Sequence, residues 1–252
     1  MSVWLVQSCL LLLLALVILV PLGHQVLRRN IVFIDMALAQ ASVMGVLIVF
    51  AFYHNDPFLK QVFSSGVSIG CGLIIYFLTK RSAYPEATIG LIYALLVSVG
   101  FVVAFSTAHG HEVLSQLLSA DILWVETYQV VILLFLAAMT LTLSKFAQNM
   151  HNNSFFFHIS MSLIVSFLVP VMGLLVLFTC LVGPALWMNR LRSFVQVIAL
   201  GYGAGLLGLM VSYHWDIPTG SSIAAAFSVL GIASCFTKET ESFVAHTGSK
   251  YQ

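Results

Sequence analysis

Apolar residues run along this chain in sustained Leu/Ala/Gly/Val-rich blocks rather than in ten-residue alternations of apolar and polar. The blocks lie near 3–22, 31–53, 61–79, 86–106 and 122–144. A polar break, SKFAQNMHNNS (144–154), then precedes one much longer apolar run over 155–188. Two further blocks lie near 194–213 and 221–237, ahead of a polar tail at 238–252. A helical bilayer crossing takes roughly 20 apolar residues, so the pattern predicts a polytopic membrane protein. Sustained runs favour a helical bundle over a barrel. The run at 155–188 is too long for one crossing of a hydrocarbon core about 30 Å thick. VPVMG (169–173) places Pro170 and Gly173 in its middle, which suits a tight hairpin between two short spans.

Charge decides the count. If 155–188 is a single span, RLR (190–192) falls on the opposite side from Arg28, Arg29, Lys80 and Arg81. If it is two, every Lys and Arg except Lys60 falls on one side, including Lys145, Arg190, Arg192, Lys238 and Lys250. The positive-inside rule therefore selects nine spans, with the N-terminus outside and the C-terminus cytoplasmic. The expected fold is all-α, a transmembrane bundle of eight to nine spans over 1–237 with a cytoplasmic polar tail at 238–252. The first span lacks a basic leader and carries its positive charges after it, which fits a retained anchor better than a cleaved signal peptide.

Composition agrees with the pattern. Of 252 residues, 60% are hydrophobic and 8% charged, where a soluble domain carries about 25% charged residues. A soluble domain is excluded. The net charge of +1 implies no bulk electrostatic partner such as nucleic acid. Cys9, Cys71, Cys180 and Cys235 all lie in apolar stretches without CxxC spacing, so they are expected to be packing residues.

The polar residues then stand out. The predicted outer loops, 54–60, 108–126 and 214–218, gather His54, Asp56, His109, His111, Glu112, Asp121, Glu126, His214 and Asp216 against one lysine. That character suits a vestibule attracting cations or a docking face, although loops are commonly polar in any case. HGHE (109–112) crowds three possible ligands for Zn²⁺, Mn²⁺ or Fe²⁺ onto a glycine turn. No GxxxxGK[ST], HExxH or GxSxG occurs, so the chain holds no phosphate-cradling loop of its own. Asp35 and Gln40 lie inside the second span, and an ionisable group there is a functional hypothesis by default. The competing expectation pairs Asp35 with Arg28 or Arg29, and Glu86 with Lys80 or Arg81. GVSIG (66–70) and GYGAG (201–205) carry GxxxG spacing, expected to mark close helix contacts.

Four stretches resemble the permease subunits of zinc/manganese/iron-type ABC transporters, in that family's order. They are LRRNIVFIDMALAQASVMGV (27–46), YPEATIGLIYAL (84–95), GLLVLFTCLVGPALWMNRL (173–191) and SYHWDIPTGSSIAAAFSVLG (212–231). The resemblance implies a compact ABC-importer permease in a bacterial inner membrane. It implies a homodimer with a separate cytoplasmic ATPase, fed by an extracytoplasmic metal-binding protein. The cargo would be a divalent ion, Zn, Mn or Fe, with no cofactor bound permanently. One departure is sharp: the family's second-span Asp and His fall here on Met36 and Gln40, and Asp35 is displaced by one residue, about 100° around a helix. This places the chain in a divergent branch.

The resulting candidate metal residues form tiers: His109, His111, Glu112, His214 and Asp216 at the outer mouth, Asp35 and Gln40 in the second span, and Glu86 at the start of the fourth. Asp35 and Ser42, seven residues apart, would share a face turned into the bundle. The break at 144–154 falls where the family places its ATPase-contacting helix, which assigns Lys145, Phe146 and Met150 to coupling. The alternative from another class is a membrane-embedded metalloenzyme using HGHE with His214 and Asp216, which needs at least three converging ligands.

Overall fold

A computed structural model describes residues 3–52, 57–107, 109–118, 127–146, 154–188, 190–191 and 193–237, with backbone alone at 3–5, 127–128 and 139–146. The tail at 238–252, and with it the predicted domain boundary, lies outside the described residues. The described residues form ten α-helices: α1 Val3–Arg28, α2 Ile34–Phe52, α3 Pro57–Thr79, α4 Pro85–Ser106, α5 Gly110–Leu118, α6 Thr127–Phe146, α7 Ser154–Met172, α8 Leu174–Val182, α9 Phe194–Trp215 and α10 Thr219–Ser234. A 3₁₀ turn, Pro184–Trp187, extends α8. Six helices are long and apolar enough to cross a membrane, and shorter apolar helices lie at Gln129–Ala138, Leu174–Trp187 and Thr219–Ser234. Together they occupy the nine predicted positions.

The long apolar run does reverse. Gly173 sits at φ 77°, ψ 158° between α7 and α8, a backbone state open to glycine and strained for any side chain. Contacts on either side fix the direction of each arm. At the start of α7, the Ser154 hydroxyl accepts from Arg29 Nη1 at 2.9 Å, beside the end of α1. Farther along, Ser166 meets Ser65 near the start of α3 at 3.0 Å. Beyond the reversal, Gly23 near the end of α1 lies against the Leu181 carbonyl. The Trp187 indole donates to the Leu230 carbonyl at 2.9 Å, and Arg190 Nη1 donates to Thr237 Oγ1 at 2.8 Å. Arg28, Arg29 and Arg190 therefore share one end of the bundle with the α3–α4 turn that carries Lys80 and Arg81, hereafter the basic end.

Two sequence expectations are corrected. The stretch 108–126 is not all loop, because α5 folds within it and packs on α4 and α2. Its apolar face buries Leu114 and Leu117, enough to anchor one short amphipathic helix. The GxxxG contacts also divide. Gly201 and Gly205 pack against Leu16, Pro184 and Leu12, but Gly66 and Gly70 have no atom close to where a Cβ would stand. The close α2–α3 approach is made by Gly45 instead, where a Cβ would lie 2.6 Å from the Phe63 carbonyl oxygen.

The helix at the centre is α2. It packs on α3, α4, α5, α7 and α8, and Ile34, Asp35, Leu38, Gln40, Ser42 and Leu47 are all buried. Asp35 and Ser42 are buried as expected, but as part of a helix covered all round rather than along one inward face. By contrast α4 turns Leu91, Leu95, Val102 and Phe105 outward, the surface a lipid-facing helix presents. All four cysteines are free, with Cys71 and Cys180 buried.

Candidate functional site

The helix starts of α2 and α4 meet at the basic end. Pro85 opens α4, where its fixed φ and missing N–H suit the first helical position, and Glu86 follows in the first turn. Neither this helix nor its neighbour is capped conventionally: Tyr84 contributes no side-chain cap to α4, and Phe33 precedes α2. Glu86 compensates across the interface. Its Oε1 accepts the Phe33 N–H at 3.1 Å, satisfying a donor that the start of α2 would otherwise leave open.

Asp35 lies in the first turn of α2 and is fully buried. Among the described residues, neither of its oxygens has a side-chain hydrogen-bond partner, and neither does Glu86 Oε2. The charged side chain acting on Asp35 is Glu86, and the donors beside it are the N–H groups of its own first turn. Neither predicted arginine pairing forms. Arg29 turns to Ser154 and stacks its guanidinium 4.7 Å from the centre of the Phe157 ring. Arg28 is exposed. Lys80 donates to the Tyr76 hydroxyl at 2.6 Å rather than pairing with Glu86. Two carboxylates thus share a buried junction without a side-chain cation among the described residues. Such a group costs several kcal/mol to desolvate unless it is compensated.

Gln40 lies deeper in α2, 5% exposed. On the same helix, Ser42 shares a 2.6 Å hydrogen bond with Ser64, and Ser68 donates to the Leu38 and Ser162 carbonyls. A hydroxyl-lined seam therefore joins α2, α3 and α7.

His109, His111, Glu112, His214 and Asp216 lie at the opposite end. His109 Nδ1 sits 3.4 Å from Glu112 Oε2, with both side chains largely exposed, and His111 leans on Phe105. His214 and Asp216 are exposed at the α9–α10 turn. There Asp216 takes a left-handed backbone conformation and closes α9 by donating its N–H to Ser212, a role Asp tolerates better than most residues. No three His, Cys, Asp or Glu side chains come together among the described residues, so HGHE, His214 and Asp216 are not gathered into the constellation a metalloenzyme requires. Lys145 and Phe146 end the backbone of α6, while their side chains and the whole of Met150 lie outside the described residues. So do His54, Asp56, Asp121 and Glu126.

Sequence reasoning passed over His158. It is 4% exposed, its Nδ1 bonded to the Ser154 carbonyl at 2.6 Å and its ring edge-on to Tyr76. The signal was present in FFFHISMSL (155–163), an ionisable residue within a span.

Comparison with known proteins settles the class. The family model described as "ABC 3 transport family" matches residues 3–156 and 147–238. The chain belongs to the ABC 3 transport family. Among solved structures, one described as PsaBC from Streptococcus pneumoniae in complex with Fab aligns with a TM-score of 0.74. The likeness covers 98% of this chain and 96% of that one at 16% identity, which is a likeness of fold. No curated protein matches. This member of the family is a multi-pass helical transport protein.

Proposed function

We propose that this chain is the membrane permease of an ABC importer for divalent metal ions, Zn, Mn or Fe, working as a homodimer with a separate ATPase in a bacterial inner membrane. Family membership over nearly the whole chain carries the reading. The buried carboxylates support a cationic cargo, because uncompensated negative charge attracts a cation and repels an anion. The basic end would face the cytoplasm, where the ATPase binds. The exposed His109, His111, Glu112, His214 and Asp216 would face the extracytoplasmic protein that delivers the metal. ATP binding would close the ATPase pair, and the permease would alternate between outward- and inward-facing states.

The test is reconstitution. The chain, co-expressed with a candidate ATPase and metal-binding protein of the same organism, should confer ATP-dependent uptake of radiolabelled Mn²⁺, Zn²⁺ or Fe²⁺ on proteoliposomes. No ATP-dependent uptake of any of the three would sink the reading. Turnover of a substrate by the purified chain without an ATPase would point to an enzyme instead.

A further inference from the structure

We propose that Asp35 and Glu86 together form one cation site, of hard oxygen character, where the N-termini of α2 and α4 meet at the basic end. The sequence placed these carboxylates in two separate helices, 51 positions apart. The structure joins them, because Glu86 Oε1 is committed to the Phe33 N–H two residues before Asp35. That commitment leaves Glu86 Oε2 buried, and among the described residues neither it nor either Asp35 oxygen has a side-chain partner.

Each helix N-terminus supplies roughly half an elementary positive charge. With both carboxyls ionised, the two helix starts offset about one of the two charges, and the junction keeps about one net negative charge. Among the described residues, Arg29 contacts Ser154 and Phe157, and Lys80 contacts Tyr76. A mobile cation completes the balance. The three free oxygens include no imidazole or thiolate, and an all-oxygen set suits Mg²⁺, Ca²⁺ or Mn²⁺. One or two carboxylates completed by water are an ordinary way to hold a small divalent ion. Of these, Mn²⁺ is the ion that is both hard and within the proposed cargo class. The site rests on the import reading only for its role, a last station before release to the basic side.

The experiment uses the full-length chain in lipid nanodiscs with Mn²⁺ alone as the probe. Binding is followed by the electron paramagnetic resonance of free Mn²⁺, and thermal unfolding is measured with and without the ion. Asp35→Asn and Glu86→Gln are the variants. In Glu86→Gln the new amide oxygen can still accept from the Phe33 N–H, so that variant removes charge while keeping the cap. Each should weaken Mn²⁺ binding at least tenfold and abolish the upward shift in melting temperature that Mn²⁺ gives the wild type. Unchanged binding in both variants overturns the site. So does a variant that gains thermal stability while its Mn²⁺ response persists, because a proton rather than a metal then balances the pair. Uptake separates the two levels: loss of the site with intact ATP-driven uptake leaves the import reading standing. Carboxylate-dependent binding without any uptake retains the site and removes the import reading.

Discussion

At the scale of single residues, one side chain in this protein often serves two helices. Glu86 stands in the first turn of α4 and caps α2 through the Phe33 N–H. Glu86→Ala should therefore destabilise the fold by about 1 kcal/mol, the usual cost of losing a cap, and Glu86→Gln by clearly less. Equal melting temperatures for the two variants in metal-free buffer would show that the cap contributes nothing. Glycines give the sharper contrast. A Cβ on Gly45 would lie 2.7 Å from Ser64 Cα and 2.6 Å from the Phe63 carbonyl oxygen, both backbone atoms that cannot swing aside. A Cβ on Gly66 would meet open space. Gly45→Ala should cost roughly 1–3 kcal/mol by forcing α2 and α3 apart, whereas Gly66→Ala should be neutral or gain up to about 1 kcal/mol from helix propensity. Thermal unfolding of the two variants side by side measures the difference, and a loss at Gly66 matching that at Gly45 would contradict the packing described.

At the scale of elements, the spans were legible because the bilayer leaves few options: a lipid-exposed segment must satisfy its own backbone, so length and apolarity mark each helix. The reversal at Gly173 was legible for a different reason, since only one partition of 155–188 gathers the arginines on a single side. Helix α5 was not read, because nine residues carry too weak a pattern to separate from the loop around them. The end of α1 was also missed. Pro21 lies inside a helix that continues to Arg28, and a proline is tolerated there because packed neighbours relieve the lost backbone bond. The reversal predicts that topology reporters fused after Arg81 and after Arg192 give the same cytoplasmic reading. Opposite readings would return 155–188 to one crossing and contradict the contacts of Gly23 with Leu181 and of Arg190 with Thr237.

At the scale of the whole molecule, the sequence named Asp35 and Glu86 separately but held no information about their meeting, which depends on how α2 and α4 pack. It also left open whether the arginines neutralise them, a question decided by Phe157 and Ser154, which lie more than a hundred residues beyond Arg29. The same end of the bundle bears on coupling. Helix α6 ends at Phe146 and α7 begins at Ser154, whose hydroxyl is held by Arg29, so residues 147–153 link the two helices into the end that carries the buried carboxylates. If the import reading holds, an ATPase docked on this linker would act on α7. Through the Ser162–Ser68 and Ser65–Ser166 contacts the push would reach α3, and through Ser68 to the Leu38 carbonyl it would reach α2. Replacing 147–153 with a Gly/Ser linker of equal length should then leave membrane insertion and Mn²⁺ binding intact while the ATPase no longer co-purifies. Undiminished co-purification would move the docking surface elsewhere on the basic end, with the segments 80–84 and 188–193 the next to replace.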